Sequence, residues 1–77
     1  MATDDSEGYQ PETEYLEIAN EYAYVQIRKV STRNGIRLEV YSPKLGFRTF
    51  LSPLELESLT WTPKSVFDKF LQTPYGT

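Results

Sequence analysis

Cysteine and histidine are both missing from this chain. Without cysteine there is no disulfide, no thiolate metal site and no thiol nucleophile. Without histidine the usual proton shuttle and the commonest metal ligand are gone as well. A domain of 77 residues buries only about 60% of its unfolded surface. Lacking the staples that small scaffolds ordinarily use, it must draw its stability from packing or from a partner chain. Long apolar runs are absent too: none exceeds four residues, so nothing in the sequence reads as a membrane span. The acidic start MATDDSEG is the reverse of a signal peptide, which makes the cytoplasm the expected location.

What is present is unevenly charged. The net charge of −3 combines an acidic front with a basic remainder. Residues 1–21 hold seven acids and no base, while from Tyr22 onward eight bases face four acids. Six of those bases lie between Arg28 and Arg48, with Glu39 the only acid among them. Such a split fits an acidic tail over a basic body, a body meant for an anionic partner, or simply a solvated strand face.

Residues 1–13 are polar, with too few apolar groups to pack, and are expected to be a disordered acidic tail; residues 14–77 are expected to form one domain. Tyr15–Ile18 reads as a short strand with Leu16 and Ile18 on one face. The run YAYVQIRKVSTRNGIRLEVYS is the clearest β signal, rich in Val, Ile, Tyr and Thr and broken at Asn34–Gly35. In its second arm Ile36, Leu38 and Val40 share a face opposite Arg37, Glu39 and Tyr41. A two-residue turn at Asn34–Gly35 would bury Lys29, Ser31 and Arg33. A three-residue loop over residues 33–35, pairing Thr32 with Ile36 and Val30 with Leu38, is preferred. A bulge at Arg28–Lys29 then returns Ile27 and Val25 to the core face. After a turn over residues 43–46, Phe47–Leu51 forms a further strand with Phe47, Thr49 and Leu51 on one side.

Two helix starts follow. Ser52 caps the first, with Pro53 at its first position, Glu55 closing a capping box, and Leu51 and Leu56 as a staple. Thr62 and Pro63 repeat the pattern, with Trp61 and Val66 as staple. Val66, Phe67, Phe70 and Leu71 form the apolar face of the second helix. The expected fold is α+β: an antiparallel sheet of three to four strands with two short C-terminal helices on one face. The expected core is Leu16, Ile18, Val25, Ile27, Val30, Ile36, Leu38, Val40, Phe47, Leu51, Leu56, Leu59, Val66, Phe67, Phe70 and Leu71.

The chemistry-bearing patterns are sparse. No glycine-rich loop follows a strand. Glu55 and Glu57 point to different sides of a helix, and a hydroxyl nucleophile would need as its base a lysine from a set that all read as solvated. No catalytic residue, metal ligand or cofactor is therefore expected. The basic hairpin with its tyrosines suggests single-stranded nucleic acid or another polyanion as an alternative ligand, but the chain as a whole is acidic, unlike most phosphate-binding domains. Eleven aromatics exceed what one small core absorbs, and tyrosine with arginine is the composition of interface anchors. The expected partner face comprises Tyr22, Tyr24, Arg28, Arg37, Tyr41, Arg48 and Phe50, with Trp61 and Tyr75 as further contacts.

The I-A-N-E start, the T-R-N-G turn, the L-E-S-L-T-W segment and the F-L-Q-T-P-Y-G end resemble very short actinobacterial proteins often labelled dihydrodiol dehydrogenase. The resemblance spans residues 18–76. It implies an accessory subunit of an oxygenase or related system acting on aromatic or xenobiotic compounds, working as a hetero-oligomer with a larger enzyme. It does not imply dehydrogenase activity, because the chain has no G-x-G-x-x-G turn in a βαβ unit.

Overall fold

The computed structural model describes residues 7–67. Five strands form one antiparallel sheet: β1 (Gln10–Pro11), β2 (Leu16–Ala19), β3 (Tyr24–Thr32), β4 (Gly35–Ser42) and β5 (Phe47–Leu51). β3, the longest, is central in the pairing: β4 lies along one side, and β1 and β2 lie end to end along the other. β5 closes the order beyond β4. The α+β class is as expected. The sheet gains a strand because β1 falls in the segment read as tail, where Gln10 pairs with Ser31 and Pro11 with Val30. The Glu12 N–H donates to the Lys29 carbonyl at 2.7 Å, and the Lys29 N–H donates to Thr13 Oγ1 at 3.1 Å.

Local chemistry explains the joints. Asn20 Oδ1 accepts from the Tyr22 and Ala23 N–H groups, which turns β2 into β3. Gly35 (φ 116°) and Gly46 (φ 79°) end the two hairpin loops in the left-handed region that side chains avoid. At α1 (Pro53–Ser58) the capping box is complete: the Glu55 N–H donates to Ser52 Oγ, and the Ser52 N–H donates to Glu55 Oε1. Residues 64–67 begin a second helix. It starts at Lys64, so Pro63 precedes it where Thr62 is expected as the cap, and the Thr62 hydroxyl donates back to the Ser58 carbonyl at 2.7 Å.

The hairpin register corrects the expectation by one residue. Thr32 pairs with Gly35, Val30 with Arg37, Arg28 with Glu39 and Ile27 with Val40, in an unbroken ladder from Gln26 to Thr32. The loop is Arg33–Asn34, and there is no bulge at Arg28–Lys29. This register already places Val25 and Ile27 beside Val40, so no bulge is needed, and it sends Val30 to the opposite face.

That shift divides the sheet. One face is mainly apolar and carries Leu16, Ile18, Val25, Ile27, Ile36, Leu38, Val40, Phe47 and Leu51, with Lys29 and Ser31 of β3, Ser42 of β4 and Thr49 of β5 among them. The other carries Arg28, Val30, Arg37, Glu39, Tyr41, Arg48 and Phe50. The expected core is only partly realised. Val30 is the one fully buried apolar residue among those described, and it lies on the charged face. Leu16, Ile18, Ile36 and Phe47 stay exposed on the apolar face, as do Leu59 and Phe67 beyond it. α1 packs chiefly on β4 and β5, which is too little cover for a five-stranded sheet. Phe70 and Leu71 lie outside the described residues.

Candidate functional site

Glu39 sits in the middle of β4, between Arg28 of β3 and Phe50 of β5, and is fully buried. A buried carboxylate is tolerated only when its lone pairs are taken up, and here they are. Arg28 Nε donates to Oε1 at 2.6 Å, Arg48 Nε to Oε2 at 2.6 Å, and the Tyr15 hydroxyl to Oε2 at 2.9 Å. Among the described residues no buried side-chain polar atom lacks a partner.

The arginines are held from above as well. The Arg28 guanidinium lies 4.1 Å from the Tyr15 ring centroid and 5.8 Å from that of Tyr9, and the Arg48 guanidinium lies 4.1 Å from the Tyr41 ring. Tyr9 also meets Phe50 edge-on at 5.0 Å, and Tyr15 and Tyr41 lie 6.5 Å apart. Two rings from the acidic N-terminal segment thus close over the charged face and keep Glu39 from water.

The electrostatics follow from this geometry. Burial works against the Glu39 carboxylate, yet the hydrogen bonds from Arg28, Tyr15 and Arg48, with the Arg28 charge, outweigh it and hold its pKa below the ordinary value. Burial and its bond to Glu39 push the Tyr15 phenol up. Tyr24 is also raised, chiefly by donating to Glu17 Oε2 at 2.9 Å. The Arg28 pKa rises through its bond to Glu39, and the Arg48 pKa through bonding to Tyr15 and Glu39.

Of the residues expected to form a partner face, Arg28, Tyr41, Arg48 and Phe50 are gathered here, with Tyr24 on the same face and bonded to Glu17 and Gln26. Arg37 shares that face and turns Nη1 to the Ile36 carbonyl at 2.9 Å. Tyr22 stands apart in the β2–β3 turn, 82% exposed, and Trp61 follows α1, 66% exposed. Tyr75 lies outside the described residues. Sequence reasoning missed Glu39, Tyr15 and Tyr9 as members of the cluster. The signal for Glu39 was its isolation as a lone acid among six bases, since an acid so placed on an arginine-bearing strand is their natural counter-ion.

The opposite face offers a different surface. Leu16 is 61% exposed, Ile18 53%, Ile36 42% and Phe47 64%, with Val25, Ile27, Leu38 and Val40 half-buried between them. A shallow open depression lies at its β2–β3 end, lined by Ile18, Ala19, Asn20, Ala23 and Val25. Among the described residues no group of three or more histidines, cysteines, aspartates or glutamates could hold a metal ion, and no helix is long and apolar enough to cross a membrane.

Fold and faces together define a small antiparallel α+β domain with one self-satisfied polar face and one open apolar face. No protein-family model, curated protein or solved structure matches the chain.

Proposed function

We propose that this chain is a non-catalytic accessory subunit that docks on a larger protein through the apolar face of its sheet. The observation that carries the reading is the exposed apolar group Leu16, Ile18 and Phe47, joined across β3 and β4 by half-buried Val25, Ile27 and Val40, with exposed Ile36 farther along the same face beyond Lys29. A contiguous apolar surface of this kind marks an interaction site. The molecule measures 35 × 25 × 23 Å. One broad face of that outline offers on the order of 800 Å², what one partner contributes to a standard interface. α1 meets β4 and β5, while Leu16 and Ile18 on β2 and Phe47 on β5 stay exposed for the partner.

The arginine–tyrosine face supports docking less well, because Arg28 and Arg48 are already committed to Glu39. The same commitment weighs against polyanions, which need free cationic groups. Through the resemblance of residues 18–76 to short actinobacterial proteins, the partner is an oxygenase or related oxidoreductase acting on aromatic or xenobiotic compounds. The subunit shapes or stabilises its partner and performs no chemistry itself.

The test is affinity purification of the tagged chain from its native host, in wild-type form and as the Ile18→Lys/Phe47→Lys double variant. A larger enzyme should elute stoichiometrically with the wild type and be absent from the folded double variant. A lone wild-type chain, or a partner retained equally by both, overturns the proposal.

A further inference from the structure

The two edges of the sheet are treated differently. The edge formed by β1 and β2 carries Pro11, Glu12, Glu14, Glu17 and Glu21, with no base within that stretch of sequence, which are devices that discourage strand pairing. The β5 edge has no proline and no acidic side chain, and an inward-turned arginine is its one guard. Phe47–Leu51 contains no proline and pairs with β4 through five consecutive residues without a break. Its single charge, Arg48, is turned inward to Glu39 and laid on Tyr41. Among the described residues no strand pairs with the outer side of β5.

We infer that β5 is a self-pairing edge, at which a second copy of this chain adds antiparallel across a two-fold axis through Thr49. Only registers that place opposite residues on the same face are compatible with pairing. Of these, the one centred on Thr49 uses all five residues. It sets Phe47 against Leu51 on the apolar face, Arg48 against Phe50 on the other, and the exposed Thr49 against its own copy. Each is a favourable cross-strand match. Shifting the centre to residue 48 would set two arginines against each other. Shifting it to residue 50 pushes Arg48 out to face Ser52. The contact is isologous and closes on itself, so it ends at a dimer and does not propagate into a fibre. The joined sheet keeps both apolar faces on one side. A single five-residue strand pair is a small interface, so the association is weak and concentration-dependent. This inference concerns the strand edge and stands apart from the docking proposed for the sheet face.

The experiment is sedimentation equilibrium of the full chain up to roughly 1 mM, with circular dichroism confirming the fold of each variant. The wild type should show a reversible monomer–dimer equilibrium. Thr49→Lys and Thr49→Glu should each weaken it by about tenfold or more, because like charges then oppose each other on the axis. An equimolar mixture of the two variants should dimerise again. A wild type that stays monomeric throughout overturns the inference. So does a dimer that Thr49→Lys leaves intact but Ile18→Lys abolishes, because that dimer would use the apolar face. A mixture of folded variants that fails to recover association overturns it as well.

Discussion

Glu39 is the residue on which the charged face turns. It is surrounded by two guanidinium groups and a phenol, and removing it leaves two cations pressed together under aromatic rings. Breaking a buried ion pair from one side costs about 3–5 kcal/mol. Because Arg48 is 38% exposed, water screens part of that loss. Glu39→Ala is therefore expected to destabilise by roughly 3 kcal/mol, seen as a lower urea midpoint at unchanged slope. The pH dependence follows from the depressed carboxyl pKa. In the unfolded chain this group titrates near 4.5, and in the folded chain it titrates lower. Its contribution is thus complete above about pH 4.5 and is lost as pH falls through the folded value. Urea midpoints measured from neutral pH down to about pH 3 should show that fall in the wild type and a clearly smaller one in Glu39→Gln. Equal slopes in the two proteins would show that Glu39 does not govern acid sensitivity.

At the scale of elements, the hairpin shows how much hangs on one residue of register. Strand positions were legible from alternation: β3, β4 and β5 lie where Val, Ile, Tyr and Phe recur, and α1 begins at its capping box. The pairing of β3 with β4 was not legible, because alternation within each arm is satisfied by several loop lengths. Placing Val30 with the other apolar residues required a bulge, whereas the straight ladder places it with the arginines. Gly35 holds that ladder's loop at φ 116°. A Cβ there would meet nothing closer than Arg37 Nη1 at 3.6 Å, so its cost is one of backbone strain and not of crowding. Gly35→Ala is accordingly expected to destabilise by about 1 kcal/mol or more, measured by chemical denaturation. A neutral outcome would mean that the loop relaxes to another turn.

At the scale of the whole molecule, burial and apolarity have come apart. A single fully buried apolar side chain, Val30, is a thin core among the described residues, and the apolar face retains the surface that would ordinarily provide more. Stability should then depend strongly on whatever covers that face. A ligand that binds only the folded state at 100 times its dissociation constant adds about 2.7 kcal/mol. For a domain of this size that raises the thermal midpoint by on the order of 10 °C or more. Once a partner enzyme is in hand, adding it should raise the midpoint of the wild type and not that of Ile18→Lys/Phe47→Lys. Equal shifts in both would place the contact elsewhere.

The sequence by itself determined which chemistries are unavailable, where the strands and the first helix begin, and which side chains alternate together along each strand. These are local matters, settled by residue type, by the two-residue period of a strand and by the hydrogen-bonding habits of Ser52, Asn20 and the glycines. Only the tertiary structure decided which face is buried. Alternation alone points to the apolar residues as the core, because apolar groups gain most from leaving water. Burial, however, requires something to lie on top. Tyr9 and Tyr15 from the acidic segment fold over Arg28, while Leu16, Ile18, Ile36 and Phe47 on the other face stay exposed. Which side a covering segment chooses is set by contacts between residues far apart in the chain, such as Tyr15 with Glu39, and no short-range pattern encodes them.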